Sequence, residues 1–116
     1  MRSEHLYADY LEDILDAIAK VENFIKGTTF DKFAADDKTA FAVIRALEII
    51  GEATKHIPKR VRKSYPKVPW REMAGIRDKL IHDYFGVNLK VVWKTATEDL
   101  PKLDPEIRRI LADSGS

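Results

Sequence analysis

Leu11, Ile14, Leu15, Ile18, Val21 and Ile25 recur at spacings of three and four, and this periodicity constrains the chain more than any other feature. Residues so spaced share one side of an α-helix, whereas side chains along a strand alternate between faces. The pattern predicts a long first helix from about Glu4 to Lys26, ended by Gly27. Thr28 or Thr29 is placed to cap a short helix through Phe30 and Phe33. Asp36 and Asp37 are placed to cap a third helix, with Ala40, Val43, Ile44, Leu47, Ile50 and Ala53 on its apolar face. That helix should run to about His56 and stop at Pro58. Pro58, Pro66 and Pro69 bracket a connector with room for one helical turn. A fourth helix is expected from about Trp70 to Gly86, with glycine at its C-terminal end. Asn88 should cap the next, which carries Leu89, Val92, Trp93, Ala96 and Leu100. Pro101 should kink or break it. Asp104-Pro105-Glu106 has the form of a fresh cap with proline at the first helical position, opening a last helix through Ile107, Ile110 and Leu111. Residues from Asp113 to Ser116 should fray. There is no alternating strand pattern, repeat or low-complexity tract. The expected fold is all-α: one domain over residues 1–116, an antiparallel bundle of about four main helices plus short ones.

Composition removes several functions. The chain has 116 residues, 45% of them hydrophobic, and no cysteine. Disulfide frameworks and thiolate chemistry are therefore excluded. The apolar runs are too short for a membrane span, and no apolar signal segment follows Met1-Arg2-Ser3-Glu4-His5, so a cytoplasmic protein is expected. A net charge of +1 advertises no global affinity for nucleic acid. The charge is uneven, however. Lys55, Lys59, Arg60, Arg62, Lys63 and Lys67 follow one another with no acid between them. This is a local basic patch or a solvated surface turn. There is no Gly-rich phosphate loop and no serine in a nucleophile-elbow context. His5, His56 and His82 lie on different elements and lack metal-ligand spacing with carboxylates, so neither a metal nor a cofactor is expected. Trp70 and Trp93 read as core or interface anchors.

The segment Arg77-Asp78-Lys79-Leu80-Ile81-His82-Asp83-Tyr84 concentrates the reactive side chains. With Trp70 at zero on a continuous helix at ~100° per residue, Met73, Ala74, Ile76, Leu80, Ile81 and Phe85 cover an arc of roughly 180°. Arg77 and Tyr84 then fall near its middle, and His82 falls on its flank beside Asp78. An arginine within an apolar stripe is costly unless it is paired. Either a buried acid meets it or the stripe lines a site that receives an anion. Glu48 and Glu52 are the candidate partners across a helix interface. With Arg45 and Lys55 beside them, they also read as a solvated ion-pair strip.

Arg77-x4-His82-x-Tyr84 resembles the Arg-x4-6-His signature of HEPN domains. The resemblance is closer to the HepT toxin branch, through Ala42-Val43-Ile44-Arg45-x-Leu47-Glu48-Ile49-Ile50-Gly51-Glu52-Ala53 and through Pro69-Trp70-Arg71-x-Met73-Ala74-Gly75-x-Arg77-Asp78-x-Leu80-Ile81-His82-Asp83-Tyr84-Phe85-Gly86. It extends from Tyr10 to about Leu111. It implies a small all-helical ribonuclease toxin, paired with a minimal nucleotidyltransferase antitoxin. It further implies a homodimer whose motif helices face one another, with Arg77 and His82 as the catalytic pair. Asp78 would fill the polar position after the arginine, and Tyr84 would be the tyrosine that the transferase modifies with AMP.

The residue chemistry is compatible with that expectation. RNA carries its own nucleophile, the 2′-hydroxyl. Its cleavage needs a base, an acid for the leaving 5′-oxygen, and a cation for the charge on phosphorus. Histidine titrates near neutrality, and arginine grips phosphate with a fixed fork. Arg77 and His82 are five positions apart, roughly 140° around one helix. A facing helix from a second chain would solve that geometry. Asp78, four residues before His82, can accept a proton from one imidazole nitrogen and set its tautomer. The competing expectation is a non-catalytic subunit that binds a nucleotide or a nucleotidyltransferase through the same groove.

Overall fold

The computed structural model describes residues 2–80 and 88–114, with side chains from Tyr7 onward. Its described residues form helices and connecting turns, with no strand among them. The long elements are α1 (Arg2–Ile25), α3 (Asp37–Lys55) and α8 (Leu100–Ser114). Short helices join them: α2 (Phe30–Ala35), α4 (Lys59–Ser64), α5 (Trp70–Ala74), α6 (Ile76–Leu80) and α7 (Leu89–Lys94).

The boundaries follow local chemistry. Gly27 ends α1 with φ 73°, the left-handed conformation that glycine adopts without steric cost. The Thr29 hydroxyl accepts from Lys32 N–H and caps α2. Asp36 caps α3, accepting from the Thr39 hydroxyl at 2.7 Å and the Thr39 N–H at 3.2 Å. Those two bonds hold its carboxyl below the usual carboxylate range. Asn88 Oδ1 accepts from the N–H groups of Lys90 and Val91 and starts α7.

Ring contacts fix the directions of the helices. Tyr10, early in α1, stacks on His56, just after α3, at 4.6 Å between centroids, so α1 and α3 run antiparallel. Phe33 of α2 lies 5.1 Å from Trp93 of α7, whereas Tyr65, just past α4, donates to Asp113 near the end of α8. The run from α7 to α8 therefore lies parallel to α3 and antiparallel to α1. The shared core is Leu11, Ile14, Ile18 and Val21 of α1, Val43, Leu47 and Ile50 of α3, and Leu100, Ile107 and Ile110 of α8, all nearly or fully buried. Each such side chain contributes roughly 1.5–3 kcal/mol by leaving water, the main force closing the bundle.

Three expectations are corrected. The fourth helix is not continuous from Trp70: Gly75 interrupts it with φ −91° and ψ 10°, separating α5 from α6. Its expected end at Gly86 lies outside the described residues. Pro101 does not break the next helix, and Asp104-Pro105 does not open a new one. Instead α7 passes through a π-helical turn, Thr95–Asp99, directly into α8, which contains both prolines. The Thr95 and Thr97 hydroxyls donate back to the carbonyls of Val91 and Trp93, bonds that bend helices. The wider π turn also accommodates the missing N–H and the bulk of Pro101. Asp104 and Glu106 pair instead with Arg108 and Arg109. Finally, the chain is helical through Ser114, tied at Asp113 by the Tyr65 hydroxyl; Gly115 and Ser116 lie outside the described residues.

Candidate active site

The segment that carries Arg77 is built on α3. Gly51 sits where α5 and α6 cross that helix. A Cβ there would lie 2.7 Å from Ile76 Cγ2 and 3.3 Å from the Met73 carbonyl oxygen. Only a residue without a side chain permits so close an approach. Trp70, Met73, Ile76 and Leu80 bury their side chains. The Trp70 indole N–H donates to the carbonyls of Arg62 and Tyr65 at 3.2 and 3.0 Å, so the start of α5 is fixed to the end of α4.

With Ile76 and Leu80 turned inward, Arg77, Asp78 and Lys79 are exposed. This departs from the expectation that Arg77 lies within the apolar stripe. The interruption at Gly75 resets the angular count from Trp70, and the cation emerges beside the buried face. Neither candidate acid pairs with it. Glu48 approaches Arg45 at 3.6 Å, and Glu52 approaches Lys55 at 3.6 Å, which is the solvated ion-pair strip. Among the described residues no carboxylate forms an ion pair with Arg77. His82 and Tyr84, the other two expected site residues, lie outside the described residues, only a few positions beyond Leu80.

One feature of this region was not visible in the sequence. A cleft of about 490 Å³ opens between the α5–α6 segment and the π turn with α8. Ile50, Met73, Ile76, Leu100 and Leu103 supply apolar lining, while Lys67, Lys79 and Lys102 bring positive charge. Glu72, Asp99 and Glu106 are also in its wall, so its electrostatics are mixed. The cleft depends on the π turn, and a turn of that kind has no strong sequence signal. Among the described residues no cluster of three or more His, Asp or Glu could hold a metal ion. No described helix is long and apolar enough to cross a membrane.

A bundle whose described residues are helical, with no strand among them, is consistent with a HEPN-like fold. The family model described as ribonuclease HepT-like matches residues 14–110, and the chain belongs to that ribonuclease family. A protein named "Probable ribonuclease HepT" from Thermococcus cleftensis is 54% identical over 104 residues, covering 90% of this chain and 94% of its own. A protein of Caldanaerobacter subterraneus subsp. tengcongensis with a provisional RNase name is 46% identical over 102 residues, 88% of this chain and 91% of its own. Another, from Methanocaldococcus jannaschii and also provisionally named an RNase, is 44% identical over 104 residues, 90% of this chain and 86% of its own. No solved structure matches the chain.

Proposed function

We propose that this ribonuclease is the toxin of a toxin–antitoxin pair, cutting RNA internally with Arg77 and His82 at the interface of a homodimer. The observation that carries this reading is the state of Arg77. It is exposed on a helix anchored from behind, and no described acid pairs with it. A cation so placed is ready to receive a phosphate, and a guanidinium offers it a planar fork of N–H donors. His82 takes the proton of the RNA 2′-hydroxyl. The resulting oxygen attacks the adjacent phosphorus, the bond from phosphorus to the 5′-oxygen breaks, that oxygen takes the proton His82 has accepted, and a 2′,3′-cyclic phosphate remains. Arg77 stabilises the charge that builds on the phosphoryl oxygens. Asp78 orients the imidazole. No metal enters these steps.

The partner in this reading is a minimal nucleotidyltransferase. It transfers AMP from ATP to the Tyr84 hydroxyl, with release of pyrophosphate, and the modified protein no longer cuts. Phe41 supports the homodimer. It lies on α3, the helix that carries α5 and α6, and is 72% exposed, an unusual position for a large apolar ring unless another surface covers it.

The decisive experiment compares RNA cleavage by the wild-type protein, Arg77→Ala and His82→Ala in buffer containing EDTA. Each variant should fold and lose roughly 10²–10⁴-fold in rate, and the wild type should leave cyclic phosphate ends. Wild-type cleavage by a folded His82→Ala protein would sink the catalytic assignment. A 3′-hydroxyl product or a strict need for magnesium would replace the mechanism.

A further inference from the structure

Helix α4 is built against its own stability. Lys59, Arg60, Arg62 and Lys63 make up four of its residues, and it contains no acid. Lys59 and Arg60 occupy the first turn, where the helix dipole disfavours positive charge. Lys59 and Lys63 are four apart and repel each other. Its N-cap, Pro58, supplies no side-chain hydrogen bond. The helix is held by neighbours: Val61 is buried, Arg62 Nε donates to the Ile57 carbonyl at 3.0 Å, and the Trp70 indole covers the last carbonyls. Packing needs one residue of the helix to be apolar. It does not explain why four of the others are cationic.

The neighbouring surface is aromatic. Tyr7 and Tyr10 are three apart on α1 and share a face. The Arg60 guanidinium lies 5.4 Å from the centroid of the Tyr7 ring. The exposed His56 ring stacks on Tyr10 with only 13° between the planes. Lys59, Arg60 and Lys63 form no ion pair with any described acid, whereas Lys55 is engaged with Glu52. Three cations without a described counter-ion, beside a pair of stacked flat rings, match the chemistry of single-stranded nucleic acid: charge for the backbone, a π-face for a base.

We propose that this end of the bundle, made by α4, His56 and the Tyr7–Tyr10 face of α1, is an RNA-holding surface distinct from the Arg77 segment. Lys59, Arg60 and Lys63 take backbone phosphates, and the His56–Tyr10 stack receives a base. The proposal rests on the ribonuclease reading and adds where the substrate is gripped outside the cleavage point. The two places are mechanically joined. Trp70 fixes α5 to α4, and Arg77 follows seven residues later, just past the break at Gly75. RNA held at α4 is thereby kept close to the cutting residues.

The test uses the full chain. Binding of a fluorescent single-stranded RNA is measured by anisotropy across a salt series, in the non-cleaving His82→Ala background. Adding Lys59→Gln, Arg60→Gln and Lys63→Gln should reduce the slope of log affinity against log salt by about 2, since each phosphate contact on a single strand contributes about 0.7. Thermal unfolding should show no loss of stability, because self-repulsion within α4 is relieved. His56→Ala should weaken binding by about 5- to 150-fold with little change in slope, the range for losing one stacked base. With His82 restored, the triple variant should cut long RNA less efficiently through a raised KM while cutting a dinucleotide normally. A folded triple variant with unchanged affinity and slope overturns the proposal. So does loss of binding to an acidic nucleotidyltransferase partner with RNA affinity intact, which would make the patch a protein-docking surface. If the wild-type chain cuts RNA while the triple variant binds it normally, only this surface is wrong. If the wild-type chain cuts no RNA, the ribonuclease reading itself falls.

Discussion

Arg77 and Tyr84 are seven residues apart in sequence, a spacing that on an unbroken helix would nearly complete two turns and leave the two side chains about 20° apart. AMP on the tyrosine hydroxyl would therefore set an anion against the arginine that is to receive the RNA phosphate. It would also repel the RNA backbone. Inactivation then needs no movement of the helix. Tyr84→Phe keeps the ring and loses only the hydroxyl, so it should fold and cleave, yet escape neutralisation. Intact-mass spectrometry after incubation with the transferase and ATP checks this. Mass additions in multiples of AMP that map to Tyr84 and track the loss of cleavage are expected. Equal inhibition of Tyr84→Phe would indicate occlusion by simple binding. At this scale the sequence was informative about identity and less so about environment. The helical count from Trp70 put Arg77 in the apolar stripe, because a count of that kind assumes an unbroken helix. Gly75 was visible in the sequence, but whether it interrupts the helix depends on what α5 and α6 meet. They meet Gly51 across α3, a contact 25 residues away in sequence from Ile76.

Helices α1, α2 and α3 were legible almost to the residue, because periodicity, capping side chains and Gly27 all agree there. The passage from α7 into α8 was not, although Asn88 caps α7 as expected. Asp104-Pro105-Glu106 has good start-of-helix chemistry, yet burial of Leu100, Leu103, Ile107 and Ile110 along one face keeps the helix running through it. Local preference yields to packing when a long apolar face is at stake. The crossing of α3 with α5 and α6 makes a prediction of its own. Gly51→Ala places a methyl group against Ile76 Cγ2 and the Met73 carbonyl, and should destabilise the fold by about 1–3 kcal/mol. Ile76→Ala opens space at the same point. Combined with Gly51→Ala, it should cost less than the sum of the two single changes, as expected for residues in contact. Chemical denaturation of the four proteins measures the coupling. Strict additivity would mean that the crossing tolerates a Cβ and that Gly51 is not what sets its distance.

At the scale of the whole molecule, a single copy leaves the proposed phosphate-binding arginine facing outward. Arg77 is exposed without a described counter-ion, and Phe41 is exposed on the helix behind it. A site that must exclude water from a phosphate undergoing cleavage is poorly served by an open surface. A second copy related by a two-fold axis and packed over the Arg77 segment would close that surface and bring each arginine toward the other chain's histidine. The five-residue spacing of Arg77 and His82 in sequence is consistent with this, since on an unbroken helix it would set them roughly 140° apart and aim them badly at one phosphate. The consequence can be measured by mixing. Arg77→Ala and His82→Ala chains, each inactive alone, should regain activity when unfolded and refolded together. Random pairing makes about half of the dimers mixed, and a mixed dimer rebuilds at most one of its two sites, so recovery should reach at most about a quarter of the wild-type level. Sedimentation on the same samples should report dimers at micromolar concentration. Absence of any recovery in samples that contain mixed dimers would place Arg77 and His82 of one chain in the same site. A monomer that still cleaves RNA would remove the need for the second copy altogether.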